Sequence, residues 1–246
     1  MKLAHEKFGE GDQTLVLIHG YPLSRAIWMP MHPWLKSVQC VVVDLRGHGE
    51  SLTNDYPFTM ADLADDVIET LQSLNIGKFW LAGHSMGGYV SCEITQKIPD
   101  QINGFFLVAS NAAAENRERI QNRYDQIEII RNKGIEAVLS GNLDKLTADE
   151  AIKKQLEPIL ATTDKRTWMT CLEAMAKRRD FTTWLAEKRF PIFYLAGKQD
   201  QIMPIDFMTD QVSKIDGAEI LYMESGHMPM METPFSVASE IVKRIF

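Results

Sequence analysis

The chain has 246 residues, of which 45% are apolar and 24% are charged. These fractions are ordinary for a globular protein and exclude a fibrous repeat or a long disordered segment. The formal net charge of −7 has the wrong sign for a protein that binds nucleic acid or an anionic membrane surface.

The first 111 residues alternate short β-rich runs with helical stretches. The predicted strands span residues 3–8, 14–18, 40–43, 79–82 and 105–108. The predicted helices between them span residues 24–36, 60–74 and 86–98. Continuous apolar runs such as 14–18 are typical of strands that are buried on both faces. Alternation of this kind indicates parallel strands joined by crossover helices on both faces of one sheet.

The alternation stops near residue 112 and resumes near residue 188. The segment 112–187 contains only helical stretches and equal numbers of basic and acidic residues, so the net charge lies in the rest of the chain. The remaining predicted elements are strands over 191–196 and 219–223 and helices over 205–214 and 234–245. Because strands flank the insertion on both sides, we expect one core, made of residues 1–111 and 188–246, that carries a helical cap of residues 112–187.

A G-x-S-x-G pattern lies between the fourth predicted strand and the helix that follows it. A sharp strand-to-helix turn strains the backbone of the central residue, Ser85, and lifts its hydroxyl above the edge of the sheet. Gly83 and Gly87 suit this turn because side chains at their positions would collide. The pattern is also compatible with a glycine-rich turn that merely caps a helix, so a nucleophilic Ser85 needs further support.

A serine nucleophile needs a histidine base and an acid that orients the base. Of the six histidines only His227 follows Ser85, and it lies directly after the last predicted strand. Asp200 lies directly after the strand before it, whereas the rival acids Asp206 and Asp210 fall within the next helix. The carboxyl ends of parallel strands meet at one edge of a sheet, where open α/β sheets place their sites. Ser85, Asp200 and His227 are therefore the candidate catalytic residues.

A backbone turn at residues 19–22 follows the second predicted strand and is expected beside Ser85. We expect the amide N–H groups of Tyr21 and Met86 to hold a developing oxyanion, with Gly20 allowing close backbone approach. His19 precedes the Tyr21 donor and is interpreted as a structural residue that holds this loop.

These pieces together resemble the α/β-hydrolase superfamily, in the branch of small carboxylesterases, enol-lactonases and related cofactor-free hydrolases. The resemblance covers nearly the whole chain outside the cap and rests on residues 19–22, 44–51, 83–88, 197–200 and 226–227. It implies an α/β fold with a doubly wound, mostly parallel sheet and a helical cap inserted after the sixth strand. It implies no metal and no organic cofactor. Relatives with an aspartate nucleophile are disfavoured because Ser85 occupies that position.

The predicted function is hydrolysis of carboxylic esters of small to medium substrates through an acyl-enzyme intermediate. Ser85 attacks the carbonyl, His227 takes the proton, and Asp200 stabilises the imidazolium. The same triad serves enol-lactones, thioesters and C–C bonds equally well, and some relatives retain it as ligand receptors. Those functions remain alternatives.

Substrate choice is assigned to the cap and to residues beside the catalytic loops. We expect an apolar acyl pocket, with Trp28, Trp168 and Met228 as the candidate substrate-binding residues. The basic run 177–179 could receive an anionic group of the substrate, but it is interpreted as a solvated helix end. The expected partner is a small-molecule ester, and the oligomeric state is left open.

Targeting signals and cysteines bear on the compartment. The N-terminus lacks the apolar stretch of roughly 7–15 residues that a secretory signal contains. No apolar run approaches the roughly 18–20 residues of a membrane-spanning helix. Cys40, Cys92 and Cys171 lie far apart and are odd in number, which argues against a disulfide scaffold. We therefore expect a soluble, cytoplasmic protein.

Overall fold

A computed structural model describes residues 1–188 and 190–246. Residue 189, within the predicted segment 188–246, lies outside the described residues. The strands are β1 (His5–Phe8), β2 (Thr14–Ile18), β3 (Gln39–Val43), β4 (Phe79–His84), β5 (Ile102–Val108), β6 (Ile192–Gly197) and β7 (Glu219–Met223). They form one sheet in the order β1-β3-β2-β4-β5-β6-β7, and every neighbouring pair is parallel except β1 with β3.

Helices occupy most of the chain between the strands. They are α1 (Met60–Ser73), α2 (Met86–Lys97), α3 (Arg117–Lys133), α4 (Glu136–Leu146), α5 (Glu150–Thr162), α6 (Lys165–Ala176), α7 (Thr182–Ala186), α8 (Ile205–Val212), α9 (Pro229–Glu232) and α10 (Pro234–Ile245). Two 3₁₀ helices span Arg25–Trp34 and Pro99–Gln101. None of the helices in the described residues is both long enough and apolar enough to cross a membrane.

The centre of the sheet is covered on both faces. Leu15, Val16, Leu17 and Ile18 of β2 are all fully buried, and successive side chains of a strand point to opposite faces. Helix α1 packs against α2, and α10 packs against the first 3₁₀ helix. The continuous apolar run in the sequence therefore corresponds to a strand that is buried on both sides.

Local sequence signals explain where α1 begins and why the first helical segment is a 3₁₀ helix. Helix α1 starts with a capping box, in which Thr59 Oγ1 accepts from the N–H of Asp62 and the Asp62 carboxylate accepts from the N–H of Thr59. The helix predicted over residues 24–36 is a 3₁₀ helix instead. It contains Pro30 and Pro33, which lack the N–H groups that an α-helix needs.

The insertion follows the fifth strand rather than the sixth, so that detail of the predicted fold is wrong. Within the described residues no strand precedes β1. The N–H groups of Leu3 and Ala4, just before β1, donate to the side chains of Thr70 (2.9 Å) and Ser51 (2.8 Å) instead of to another strand. Helices α3 to α7 lie between β5 and β6. We keep the name cap for residues 112–187, whose two ends are joined by a hydrogen bond of 2.8 Å from the Phe181 N–H to the Ala112 carbonyl.

The three cysteines are buried free thiols. Burial raises the pKa of each thiol, to about 12 for Cys40. A protonated buried thiol behaves as a small apolar side chain. Cys92 lies on α2, the helix that follows Ser85.

Candidate active site

Ser85 lies at the junction of β4 and α2 with φ of 48°, a left-handed conformation that non-glycine residues rarely adopt. Two hydrogen bonds hold this backbone in place. The Ser85 N–H donates to the Val108 carbonyl at 3.0 Å, and the Ser110 hydroxyl donates to the Ser85 carbonyl at 2.7 Å. The end of β5 thus stabilises a turn that the chain would not adopt by itself.

The glycines on either side of Ser85 allow close packing of backbone against backbone. A Cβ atom at Gly83 would overlap the carbonyl of Gly87, and one at Gly87 would overlap the carbonyl of Ile18. The glycines are therefore required for the reason that the sequence pattern suggested. Their packing also brings the loop after β2 alongside the turn.

Asp200 and His227 form a buried pair on the loops that follow β6 and β7. The Asp200 carboxylate accepts from His227 Nδ1 at 2.8 Å, and its other oxygen accepts from the N–H groups of Ile202 and Met203 at 2.8 and 2.9 Å. Burial favours a raised pKa for Asp200, but His227 and these amides more than offset it, so the pKa lies below its ordinary value. Asp200 therefore remains ionised beside the imidazole.

His84 holds the backbone of His227, a role that the sequence did not suggest. His84 Nε2 lies 2.9 Å from the His227 carbonyl, and since a carbonyl can only accept, Nε2 carries the proton. Burial lowers the pKa of His84 to about 3, which keeps the ring neutral. No sequence signal identified this contact, because the two residues are 143 positions apart.

His19 and His48 stabilise the loops around the site rather than entering it. His19 Nε2 accepts from the N–H of Leu45 at 2.9 Å, so Nδ1 donates to the Gly20 carbonyl at 2.8 Å. Burial lowers the pKa of His19 to about 4 and that of His48 to about 3. The structure thus agrees with the structural role expected for His19.

The amide N–H groups of Tyr21 and Met86 are both available for a ligand. Met86 is the first residue of α2, where a helix leaves its N–H groups without intrahelical acceptors. Neither amide has a hydrogen-bond acceptor among residues 1–188 and 190–246. The helix dipole adds a partial positive charge at the same place.

A cavity of about 360 Å³ lies between the sheet edge and the cap, and both Ser85 and His227 line it. The other core residues that line it are Tyr21, Pro22, Tyr89, Gln201, Ile202 and Met203. Within the described residues no hydrogen bond joins the Ser85 hydroxyl to His227. In unliganded sites such bonds are often long and shorten only when substrate binds.

The cap side of the cavity combines polar and apolar side chains, and apolar surface predominates over the lining as a whole, in agreement with the expected apolar pocket. Helix α3 contributes Arg119, Asn122, Arg123 and Gln126, α4 contributes Asn142, Lys145 and Leu146, and α6 contributes Met175. The spacing on α3 is that of one helical face. None of these residues was among the predicted site residues, although the polar stripe at helical spacing on α3 is a sequence signal that could have identified four of them.

The three residues proposed to bind substrate do not line this cavity. Trp28, Trp168 and Met228 are all fully buried, and none contributes to the cavity surface in the described residues. Trp168 instead packs edge-on against Tyr21, with ring centroids 5.3 Å apart. Their large apolar side chains pack in the core, so the structure does not support the prediction that they bind substrate.

The basic run 177–179 is only partly a solvated helix end. Arg178 is buried, pairs with the buried carboxylate of Glu115 and stacks 3.9 Å from the ring centroid of Tyr89. Its two neighbours are exposed. Since Tyr89 lines the cavity, Arg178 supports the cavity wall from behind.

The family model described as alpha/beta hydrolase fold matches residues 13–234. The chain belongs to the α/β-hydrolase family. This assignment confirms the resemblance that the sequence motifs predicted. Esterases and enol-lactonases both occur among the matched proteins.

Three similar proteins illustrate the sequence identity and the coverage of the matches to this α/β-hydrolase. The chain is 28% identical to the dihydrolipoyllysine-residue acetyltransferase component of the acetoin cleaving system of Pseudomonas putida, covering 95% of the chain but only 64% of that protein. It is 26% identical to the pimeloyl-[acyl-carrier protein] methyl ester esterase of Legionella pneumophila, over 94% of each protein. A malate-bound thermophilic esterase from Thermogutta terrifontis superposes with a TM-score of 0.90 at 27% identity, covering 99% of this chain and 93% of that one.

Proposed function

We propose that the protein is a serine hydrolase that cleaves carboxylic esters of small to medium substrates through an acyl-enzyme intermediate. One observation carries this proposal: the strained Ser85 (φ 48°) and a buried Asp200–His227 pair, bonded at 2.8 Å, meet at one cavity. The esterases among similar proteins support the same reaction class.

The orientation of His227 suits it to act as the base. In the neutral ring, a proton on Nδ1 that is donated to Asp200 leaves Nε2 free to accept another. As Ser85 Oγ attacks the ester carbonyl, His227 Nε2 takes the serine proton, and ionised Asp200 stabilises the resulting imidazolium. His227 then returns the proton to the leaving alkoxide as the ester C–O bond breaks.

Deacylation repeats these steps with water as the nucleophile. His227 accepts a proton from the water, whose oxygen attacks the acyl carbon, and the acid departs as Ser85 Oγ regains a proton. In both steps the negative charge forms on the carbonyl oxygen. The N–H groups of Met86 and Tyr21 are proposed to bind that oxygen, and loss of one such donor typically costs about 2.7–4 kcal/mol.

The test is turnover of p-nitrophenyl butyrate by the wild type and by Ser85→Ala. We expect the variant to lose at least about 10³-fold in kcat, and Ser37→Ala, on an exposed serine, to retain full activity. A fluorophosphonate is expected to add its mass at Ser85 only. Undiminished turnover by Ser85→Ala would overturn the proposal.

Two further measurements address the alternatives. Sustained turnover over many equivalents separates an enzyme from a ligand receptor, which would release product once at most. A parallel panel of a lactone and a thioester compares the other reactions open to this triad, and preferential cleavage of either would replace ester hydrolysis as the assigned activity.

A further inference from the structure

The wall of the cavity opposite Ser85 carries an excess of positive charge. Arg119, Arg123 and Lys145 line the cavity, and no aspartate or glutamate of the described residues does. All three cations come from the two cap helices α3 and α4. A cleft lined by one sign of charge favours a ligand of the opposite sign.

The charge is only partly neutralised within the cap. Glu115 is buried and accepts from Arg123 Nε at 2.6 Å, while it also pairs with Arg178 and lies 3.7 Å from Arg119. Burial favours a raised pKa for Glu115, but the guanidinium groups more than offset it, so the pKa is lowered and the carboxylate is ionised. One negative charge therefore faces three guanidinium groups.

Arg123 is the guanidinium with donors to spare. Arg119 donates to the Ile202 carbonyl and stacks over Phe207. Arg123 bonds through Nε alone, and its two terminal nitrogens have no partner among the described residues. Its side chain is only 18% exposed, so these donors are partly desolvated. A planar fork of this kind matches the geometry of a carboxylate.

A second cation that lines the same cavity, Lys145, also has donors to spare. Lys145 forms no ion pair within the described residues, and the neighbouring Asp144 pairs with Lys153 at 2.7 Å. The side chain of Lys145 is exposed at the cavity wall, so its ammonium group is free to pair with an anionic group of a ligand.

We propose that Arg123 and Lys145 bind a carboxylate, so that the substrate is an ester with a free carboxylate remote from the scissile bond. This inference rests on the proposed function, because it places the ester carbonyl at Ser85 in the same cavity. The cavity of about 360 Å³ is at the small end of ligand pockets. Monoesters of short dicarboxylic acids fit both its size and its charge.

The test compares two esters that differ only at the remote end. Glutaric acid monomethyl ester carries a carboxylate where methyl pentanoate carries a methyl group, and methanol release reports on both. For the wild type we expect kcat/KM to be at least about 10-fold higher for the carboxylate ester, as one charged hydrogen bond typically supplies.

Variants then locate the effect. Lys145→Gln and Arg123→Gln are expected to reduce the ratio of the two kcat/KM values at least about 10-fold. Lys133→Gln removes the same charge from an exposed site on α3 outside the cavity and is expected to leave the ratio unchanged. Because Arg123 also contacts buried Glu115, the exposed Lys145 variant keeps the test valid if the Arg123 variant does not fold.

Binding gives a readout that does not depend on turnover. Isothermal calorimetry is expected to show that glutarate binds to the Ser85→Ala variant. In the double variant Ser85→Ala, Lys145→Gln, the Kd for glutarate is expected to be at least about 10-fold higher. Equal turnover of both esters, unaffected by the variants, would overturn the carboxylate site and leave the ester hydrolase intact. If neither ester is cleaved, the proposed ester hydrolase activity is contradicted. If glutarate does not bind either, the carboxylate site is contradicted as well.

Discussion

The two walls of the cavity are constructed on different principles. On the core side, Ser85, Asp200 and His227 lie at strand ends and are held by backbone contacts and buried bonds. On the cap side, the wall consists of long side chains such as Arg123 and Lys145 on helices that also face solvent. A rigid wall holds reacting groups in a fixed geometry. Substitutions in a wall of side chains on an insertion can change substrate preference without disturbing that geometry.

The walls also differ in how they manage charge. The core surrounds its site with neutral buried histidines, since burial lowers the pKa of His19, His48 and His84 to between about 3 and about 4. The cap retains ionised groups and distributes one buried carboxylate, Glu115, among three arginines. We therefore expect mutations on the core side to affect kcat, and mutations on the cap side to affect stability of the cap and the choice of substrate.

The largest effect is expected for Asp200→Asn on the core side. The amide can donate to His227 and so favour the wrong tautomer, and kcat for a short ester is expected to fall about 10⁴-fold. Asp206→Asn, at an exposed position on α8, is the matched control and should retain activity. An equal loss in the control would show that the acid has been assigned to the wrong loop.

Glu115→Gln tests whether the cap depends on its internal ion pairs. Removing the carboxylate leaves buried Arg178 without its partner, and breaking a buried pair in this way typically costs about 3–5 kcal/mol of unfolding free energy. Urea unfolding measures the change, with the exposed Glu118→Gln as control. A loss below about 1 kcal/mol, as for a surface ion pair, would mean that the cap is held mainly by apolar packing.

The neutral histidines of the core predict that stability falls in acid. Their pKa values in the folded protein lie below 6.5, so the unfolded chain takes up protons first as the pH falls. Each buried histidine should therefore remove about 1.4 kcal/mol of unfolding free energy per pH unit between about pH 6 and pH 4.

Urea unfolding as a function of pH checks this prediction. His48→Gln is expected to flatten the slope by about 1.4 kcal/mol per pH unit, whereas His5→Gln, at an exposed site, should leave it as in the wild type. A slope that does not respond to His48→Gln would show that this ring takes up a proton in the folded protein.

The smallest effect is expected for a hydrogen bond between the core and the cap. The Tyr56 hydroxyl lies 2.7 Å from Thr167 Oγ1 on α6, and Tyr56→Phe is expected to reduce the unfolding free energy by about 0.5–1.5 kcal/mol. Tyr222→Phe, at a hydroxyl on an exposed residue, provides the comparison. If both variants lose equally little, this bond does not contribute to docking of the cap.

Much of the core could be predicted because its signals are local. The apolar run of β2 is buried on both faces, as continuous runs usually are, and Gly83 is required by a contact with the nearby carbonyl of Gly87. Trp28 and Trp168 were assigned wrongly for the opposite reason. A large aromatic side chain can serve a core or a pocket equally well, and only the packing around it decides between them.

The sequence by itself determined the sheet-and-insertion organisation and the three candidate catalytic residues, since strand ends and chain order restrict where Ser85, Asp200 and His227 can lie. Tertiary structure alone decided that His84 supports His227, that Glu115 meets its arginines, and that Arg123 and Lys145 face the cavity. These contacts join residues on separate helices and loops, and which face a cap helix turns inward depends on how it packs. Helical periodicity predicts that a polar face exists, but not what lies opposite it.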